Sequence, residues 1–391
     1  MSTPRFLQIH TLHTYAAALL NRDDTGQAKR LTYGGTSRTR ISSQCLKRHW
    51  RRAKDEQAGR DDPHALQHLA GFVESYRSRD LVLKKVIDPL RDRFSQEIVD
   101  ALEPEFQKIV YGEKAETGKK GKKSRQTLLL GQPELDWLAR EAAALAASAD
   151  SPEAAGKAVA EWRKGRNYKA MSENCALPGG IVAALFGRMV TSDPDANIDA
   201  PVHVAHAFTV HAEEAEADYF TAVDDLAGDG DADSMTDTIQ ETELTCGLFY
   251  GYVVIDLPGL IRNCGGDRDL AARIVHNLVY LIAEVSPGAK LGSTAPYGRA
   301  DLMLVEAGDR QPRSLAAAYR TAVKHDLDRA VGALDRHLAA LDGAYETGES
   351  RRYLSLAETP LQSPPDSGLA RLPLGGLAQW AADRVMDAPD E

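Results

Sequence analysis

The order of strand and helix patterns along the chain is the feature that most constrains its fold. Residues 6–12 alternate apolar and polar side chains, as a half-buried strand does, and residues 38–42 have the pattern of a second, shorter strand. From about Asp62 to Gly180 the apolar residues recur instead with a helical period. Strand patterns then return at 181–190, 202–211, 245–257 and 302–305. This order predicts an α+β fold in which a helical insertion divides one sheet.

The segments on either side of the insertion each contain strand, helix and strand patterns. That order predicts a ferredoxin-like core, which is also the arrangement of RNA-recognition motifs. The runs 181–190 and 202–211 are predicted to pair as a long hairpin with an extended tip. Helices are expected in the sheet-forming parts over residues 44–54, 270–285, 315–325 and 327–341.

The composition predicts a folded protein of the cytoplasm. Of 391 residues, 43% are hydrophobic and 27% are charged, which is near the average for globular proteins. The four cysteines are far apart and form no C-x-x-C pair, which argues against a zinc ribbon or a disulfide scaffold. The sequence has no basic-then-apolar leader and no run of about 18 apolar residues, so we expect neither secretion nor a membrane partner.

The net charge of −10 conceals opposite charges at different positions along the chain. Residues 1–60 contain 12 Lys or Arg and 4 Asp or Glu, whereas residues 212–243 contain 12 Asp or Glu and no Lys or Arg. A short basic run between residues 119 and 125 is a third feature, and the glycines beside it predict a loop. The basic end can attract phosphate groups, while the acidic segment repels them.

The clearest candidate site is a basic amphipathic helix close to the N-terminus. Ser43 is predicted to cap this helix, and Leu46, Trp50 and Ala53 form an apolar face that can pack on the sheet. Cations occupy another face at the same spacing. Together with the preceding loop, the side chains that can converge on successive phosphates are Arg22, Arg40, Ser42, Ser43, Gln44, Lys47 and Arg51. The alternative is a solvated basic helix that binds no ligand.

Metal binding is not expected, and no cofactor is predicted. On a strand, His203 and His211 share a face that His206 does not, so the three histidines do not converge. The acidic segment contains Gly228-Asp-Gly-Asp231 but lacks the remaining ligands of a calcium loop. This segment is interpreted as a solvated loop or as a docking face for a basic neighbouring subunit.

Several motifs follow one another along the chain and together span most of it. The first is the basic block from Asn21 to Arg48. The others are Phe186–Met189, Ala205–Ala207, Asp218–Leu226, Gly247–Tyr250, Pro287–Lys290 and Ala300–Asp301. In this order they resemble the backbone subunit of the type I-E CRISPR Cascade surveillance complex, the CasC family.

The resemblance implies a subunit shaped like a right hand. Its palm would be a modified RNA-recognition-motif fold formed by residues 1–60 and 245–391. Its fingers would be the helical insertion 61–180, and its thumb would be the hairpin within residues 181–244, beside further palm strands. The residues that would contact the backbone of a guide CRISPR RNA are Arg22, Ser42, Gln44, Lys47 and Arg51. Arg188 and Met189 would lie at the thumb base, where the family wedges an apolar side chain against the bases.

The same resemblance implies an RNA-binding scaffold rather than an enzyme. Copies would stack head to tail along the guide, beside the other Cascade subunits, and the guide would pair with target DNA before a recruited nuclease-helicase cuts it. The basic run in the fingers is a candidate DNA contact, with a solvated loop as the alternative. Its members are Lys119, Lys120, Lys122, Lys123 and Arg125.

Two other functions stay open. Related backbone subunits of other CRISPR types cut RNA with a thumb-loop aspartate, and Asp193 and Asp195 lie in the corresponding loop. No general base with a supporting partner can be named for such a reaction. The other possibility is a stand-alone binder of single-stranded nucleic acid, which would bind without sibling subunits and without a defined stoichiometry.

Overall fold

The chain forms two compact units in the computed structural model. The first, here called the sheet unit, comprises residues 1–65, 204–255 and 272–391. The second, the helical unit, comprises residues 66–203 and 256–271. The described residues are 3–112, 125–164, 177, 179–190, 196–223, 236–288, 291–362 and 368–390. Within these ranges, no helix is long and apolar enough to cross a membrane.

The strands are numbered here in chain order. They are β1 (Phe6–Ala18), β2 (Arg30–Tyr33), β3 (Thr36–Ile41), β4 (Lys54–Asp55), β5 (Arg60–Asp61), β6 (Ser75–Ser78), β7 (Leu128–Gly131), β8 (Val202–Val204), β9 (Ala207–Thr209), β10 (Ala215–Val223), β11 (Thr236–Asp256), β12 (Ala300–Gly308), β13 (Ser350–Ser355) and β14 (Ala370–Arg371). In the sheet unit, hydrogen bonds join them in the order β14-β13-β12-β1-β11-β9-β3-β2, and β10 pairs with β11. The pairing of β13 with β14 is parallel, whereas β1 with β12 and β12 with β13 are antiparallel. The predicted α+β class is confirmed, while the RNA-recognition-motif arrangement stays a prediction.

The helices complete the two units. They are α1 (Ser43–Arg51), α2 (Gln96–Tyr111), α3 (Gln132–Ala147), α4 (Pro152–Lys164), α5 (Gly180–Phe186), α6 (Leu257–Asn263), α7 (Arg268–Glu284), α8 (Leu291–Thr294), α9 (Leu327–Tyr345) and α10 (Leu374–Met386). The helices predicted at 44–54, 270–285 and 327–341 are confirmed as α1, α7 and α9. The helix predicted at 315–325 is wrong, because only a 3-10 turn forms there, at Ala316–Tyr319.

Strand β1 lies between β12 and β11 and is buried on both faces. Leu7, Ile9 and Leu12 are 0% exposed, but Gln8 and His10 on the opposite face are also only 1% and 0% exposed. The alternation of residues 6–12 was expected to mark a half-buried strand, and that expectation is wrong. The alternation instead marks a strand with two buried faces, one apolar and one polar.

The polar face of β1 is satisfied by a buried hydrogen-bond chain. The Leu315 N–H donates to the Tyr250 hydroxyl (3.0 Å), and that hydroxyl lies 2.9 Å from His10 Nδ1. His10 Nε2 lies 3.0 Å from a Glu306 carboxylate oxygen, which also accepts from Arg313 at 2.9 Å. Because Nε2 faces a carboxylate, the neutral ring carries its proton there and accepts from Tyr250 at Nδ1.

For both His10 and Glu306 in this hydrogen-bond chain, burial and the neighbouring groups shift the pKa in opposite directions. Burial lowers the pKa of His10 and outweighs the nearby Glu306 carboxylate, which raises it. Burial alone would raise the pKa of Glu306, but the hydrogen bond from His10 and the hydrogen bonds and positive charge of Arg313 hold it well below its usual range. The folded protein therefore holds a neutral His10 beside an ionised Glu306.

The helical unit has its own apolar core. Helix α2 packs against α3 and α4 through a cluster that includes Leu102, Phe106, Leu138 and Val159, all 0% exposed. The helical pattern predicted from about Asp62 to Gly180 holds only in part, since Val82–Ile87 forms a π-helical segment before α2 begins. A short antiparallel pair, β6 with β7, also belongs to this unit.

The predicted strand at 181–190 is wrong. Residues Gly180–Phe186 form α5, whose residues 180–185 are all buried. A short apolar run that is buried all round does not show which period it follows, so strand and helix cannot be told apart by pattern there. The predicted hairpin of 181–190 with 202–211 is wrong for the same reason. The long antiparallel pair is instead β10 with β11, running from Ala215 opposite Thr245 to Val223 opposite Thr236.

Candidate nucleic-acid interface

Helix α1 is held on the sheet by the apolar face that its sequence predicts. Trp50 and Ala53 are each 3% exposed, and Leu46 packs against a buried cluster that includes Ile41 and Phe249. The first turn has no acidic residue, and the last turn carries Arg48, His49 and Arg51. The predicted docking of the apolar face is confirmed, so the cations on the other face point away from the core.

The helix begins one residue earlier than predicted. Ser42, rather than Ser43, is the N-cap, and its hydroxyl accepts a hydrogen bond from the Cys45 N–H at 3.3 Å. The Ser43 N–H instead donates to His206 Nδ1 at 3.0 Å. Two backbone donors of the first turn are therefore satisfied inside the protein, and side chains must supply most of any phosphate contact. Gln44 contributes an exposed amide at this turn.

Cations from three separate elements gather around the start of α1. Partial burial lowers the pKa of His206, and three nearby positive charges lower it further, those of Arg40, Lys29 and Lys47. Arg40 comes from β3, Lys29 from the loop before β2, and Lys47 from α1. We call these four residues the α1 cluster. Such a group of cations attracts polyanions and is compatible with a nucleic-acid backbone.

The loop before β2 is shaped by its polar side chains. Asn21 Oδ1 accepts from the Ser42 N–H at 2.9 Å, which ties the loop to the start of α1. Asp23 Oδ1 accepts from the Thr25 N–H (2.9 Å) and hydroxyl (2.7 Å), and these bonds hold the pKa of Asp23 below its usual range. Arg22 lies between these two anchors and is exposed. The motif Asn21–Asp23 thus presents Arg22 on a fixed turn.

Acidic residues border the α1 cluster on the side of β10 and β11. Arg30 pairs with both Glu213 and Glu243, and the Ala28 N–H donates to Glu243 Oε2 at 2.7 Å. The guanidinium of Arg30 is thereby occupied within the protein, although it lies in the same basic N-terminal segment. The backbone carbonyl of Arg30 accepts from Arg40 Nε at 3.3 Å, which helps to hold the Arg40 side chain.

Arg188 and Met189 differ sharply in their surroundings within the helical unit. The Arg188 side chain is 1% exposed, pairs with the buried Glu134, and donates to the Ala196 carbonyl at 2.9 Å. Burial raises the pKa of Glu134, and the Arg188 charge opposes that rise. Met189 is 70% exposed on a backbone fixed by two hydrogen bonds between Arg188 and Ile198 (2.9 and 3.0 Å). Arg188 thus anchors the segment, and Met189 is the side chain presented to solvent.

The basic run predicted to contact DNA lies mostly outside the described residues. Lys119, Lys120, Lys122 and Lys123 belong to the range 113–124, and the two aspartates of the nuclease alternative, Asp193 and Asp195, belong to 191–195. Arg125 is described, is 5% exposed, and bonds to Gln107 and to Asp80 (3.3 Å). Its guanidinium points into the helical unit.

Among the described residues, one group of side chains has ligand-type atoms close enough for a metal ion. His211, Glu214 and His325 place such atoms within 4.8 Å of one another, and the two imidazole rings stack with centroids 4.3 Å apart. His211 has both nitrogens engaged, however. Nε2 accepts from the Leu248 N–H at 3.0 Å and Nδ1 donates to the Ala212 carbonyl at 2.6 Å. The group therefore cannot offer three lone pairs without breaking a backbone hydrogen bond.

The sequence did not identify the side chains of Lys29 and His206 as parts of the site, although the basic block from Asn21 to Arg48 and the motif Ala205–Ala207 contain them. Lys29 belongs to an irregular loop, where periodicity carries no information about direction. His206 lies far from α1 in sequence, and its chemistry was considered only for metal binding. Its position between β8 and β9 gave no signal that its ring would meet the start of α1.

The fold is of a kind found in CRISPR RNA-guided surveillance complexes. A chain of the structure described as "CRISPR RNA-guided surveillance complex, pre-nicking" is similar with a TM-score of 0.75 and 26% identity, over 97% of this chain and 100% of that one. A chain of a second structure, described as "CRISPR RNA-guided surveillance complex", has a TM-score of 0.58 and 22% identity, over 97% and 98% of the two chains. The second likeness concerns the fold alone.

Residues 7–374 match the model of the family described as CT1975-like protein. Because this match extends over nearly the whole chain, the protein belongs to the CT1975-like family. No curated protein matches the chain.

Proposed function

We propose that this protein is the backbone subunit of a type I-E Cascade surveillance complex, the role of the CasC family, and that it binds the guide CRISPR RNA. Copies of the chain oligomerise head to tail along the guide in the cytoplasm and present it for pairing with target DNA. Other Cascade subunits complete the complex, and a recruited nuclease-helicase performs the cutting. The subunit itself acts as a scaffold and not as an enzyme.

One observation carries the proposal. The likeness to a chain of a CRISPR RNA-guided surveillance complex covers 97% of this protein and 100% of that chain, at 26% identity. A likeness of this extent concerns the whole architecture and not one module. The match to the CT1975-like family over residues 7–374 points the same way.

The α1 cluster gives the proposal a physical mechanism. Lys29, Arg40 and Lys47 neutralise phosphate charge, and their binding releases counterions from the RNA, which favours association without regard to sequence. Gln44 and the hydroxyl of Ser42 add hydrogen bonds to phosphate oxygens in this proposal. Arg22 and Arg51 extend the track on either side of α1. Because these contacts reach only the backbone, the base edges stay available for pairing.

Met189 supplies an apolar contact in the same proposal. Its exposed side chain stands on a backbone held by the buried Arg188 and Glu134 pair. A thioether of this kind packs well against the flat face of a nucleobase. A base displaced by such a side chain would interrupt stacking at a defined place, and the guide would be held in short, preorganised segments.

The experiment is the salt dependence of RNA binding by a Lys47→Ala, Arg51→Ala double variant. Log affinity falls with log salt concentration, and each lost phosphate contact makes that negative slope shallower by about 0.7 for a single strand, so we expect its magnitude to decrease by about 1.4. The control is Arg140→Ala with Lys157→Ala, which removes two exposed cations from the helical unit and changes the net charge equally. A double variant of α1 that keeps the wild-type slope would remove this helix from the RNA path.

A further inference from the structure

His206 differs in chemistry from the cations around it. Its ring is exposed, yet its Nδ1 atom accepts a hydrogen bond from the Ser43 N–H at 3.0 Å, at the first residue of α1. The ring lies close enough to Lys29, Arg40 and Lys47 to feel their positive charges. An imidazole is thus built into the α1 cluster by a backbone contact, a role that neither the motif Ala205–Ala207 nor the spacing of the histidines predicted.

The hydrogen bond from Ser43 fixes which nitrogen carries the proton. Because Nδ1 accepts from a backbone N–H, its lone pair is occupied and the proton of the neutral ring must reside on Nε2. A second proton could bind only at Nδ1, which would set two N–H groups against each other. The neighbouring cations oppose that protonation as well. His206 therefore offers a single directed donor, Nε2–H, and no charge.

We propose that His206 is a binding residue of the RNA track, and that its Nε2–H donates a hydrogen bond to an oxygen of the RNA backbone. This inference rests on the proposed function and adds a residue with a separate task. The cations attract the polyanion but do not fix its register, because their attraction depends little on direction. A neutral, fixed donor among them sets where one backbone oxygen lies.

Two substitutions separate the donor from the helix cap. In His206→Asn the Oδ1 atom occupies the place of Nδ1 and can still accept from Ser43, but the shorter side chain ends before the position of Nε2. His206→Ala removes both functions. We expect both variants to bind a single-stranded guide-length RNA about fivefold more weakly than the wild type, as for the loss of one hydrogen bond.

The salt dependence distinguishes the neutral donor from a cation. Neither His206 variant should change the slope of log affinity against log salt concentration. Lys47→Ala, measured beside them, should make this negative slope shallower by about 0.7. If His206→Asn binds as tightly as the wild type, the ring serves only to cap α1 and the inference fails. If a His206 variant makes the slope as shallow as Lys47→Ala does, the inference also fails, because the ring would then carry charge.

A DNA strand of the same sequence identifies the accepting oxygen. If the loss of affinity in His206→Asn disappears on DNA, the acceptor is the ribose 2′-hydroxyl, and if it persists, the acceptor is a phosphate oxygen. Either result retains the donor. A wild-type protein that binds no RNA at any salt concentration would contradict the proposed function itself, whereas wild-type binding with unaffected His206 variants contradicts this inference alone.

Discussion

At the scale of single residues, the basic side chains of this protein divide into those directed outward and those used inside. Arg188 pairs with Glu134, Arg125 with Asp80, and Arg38 donates to the backbone carbonyls of Thr209 (2.9 Å) and Tyr319 (3.1 Å). The guanidinium groups of these three arginines are thus occupied by protein acceptors, whereas Arg40 belongs to the α1 cluster. Residue type predicted the chemistry of these side chains but not their direction.

The buried His10 predicts a pH dependence of stability. Its pKa is lower in the folded protein than in the unfolded chain, where it is about 6.5. Above that pH the ring is neutral in both states, but below it the unfolded chain binds a proton that the fold excludes, so the free energy of unfolding falls as the pH falls. Between pH 7.5 and 5.5 we expect the free energy of unfolding to fall by about 1 kcal/mol through this residue. Urea unfolding at the two pH values measures the change.

His10→Gln is the matched control for that measurement. It removes the titrating ring and leaves Glu306 and Arg313 in place, so the difference between the two proteins isolates His10. Glutamine should lower stability at pH 7.5 but leave a flatter dependence on pH. Equal pH dependence in the two proteins would mean that His10 is not held neutral.

At the scale of elements, the hairpin of β2 and β3 shows why particular residues are required. Gly34 and Gly35 join the strands with φ of +61° and +77°, which glycine adopts without strain. A Cβ atom at Gly34 would lie 1.6 Å from the Arg320 carbonyl oxygen, whereas one at Gly35 would have no atom within 4 Å. Both positions therefore favour glycine because of their positive φ, and Gly34 also requires it because a side chain has no space there.

The two glycines offer a paired test. Gly35→Ala should cost about 1 kcal/mol of unfolding free energy through backbone strain alone. Gly34→Ala should cost about 3 kcal/mol or more, because the turn must also move away from Arg320. Urea unfolding of both variants measures the difference. Equal decreases in the free energy of unfolding would show that the backbone at Arg320 moves away without an energetic penalty.

Elements with a long, clear period were predicted and others were not. Helices α1, α7 and α9 follow from their apolar stripes, and α1 was also placed on the sheet by the correct face. Helix α5 was missed because its apolar residues are buried all round, so that no side of it is marked by polar residues. Strand β13 went unpredicted because its buried positions are Arg351, Tyr353 and Ser355, so its alternation in burial is not one of apolar with polar residues. Strand β14 has only two residues, too few for a pattern.

The candidate site was predicted only in part for a related reason. The contribution of α1 is local in sequence and follows from helical spacing. His206 reaches α1 through the pairing of β9 with β3, and a contact between distant strands cannot be inferred from spacing along the chain. The burial of Arg188 likewise depends on Glu134, which is 54 residues away.

At the scale of the whole molecule, opposite charges occupy different parts of the sheet unit. The α1 cluster is basic, whereas the side of β10 and β11 is acidic and takes up Arg30 through Glu213 and Glu243. The acidic border disfavours nucleic acid beyond the cluster and so restricts where a strand can lie.

Native mass measurement shows whether copies of this chain assemble on a guide RNA and leave it intact. The protein is co-expressed with a repeat-spacer transcript and candidate sibling subunits, purified through this chain, and analysed for RNA length and total mass together. We predict one discrete guide-length RNA carrying several copies of this subunit. An RNA-free monomer would contradict assembly on the guide, and RNA that shortens with time when divalent ions are present would contradict the role of a scaffold that does not cut.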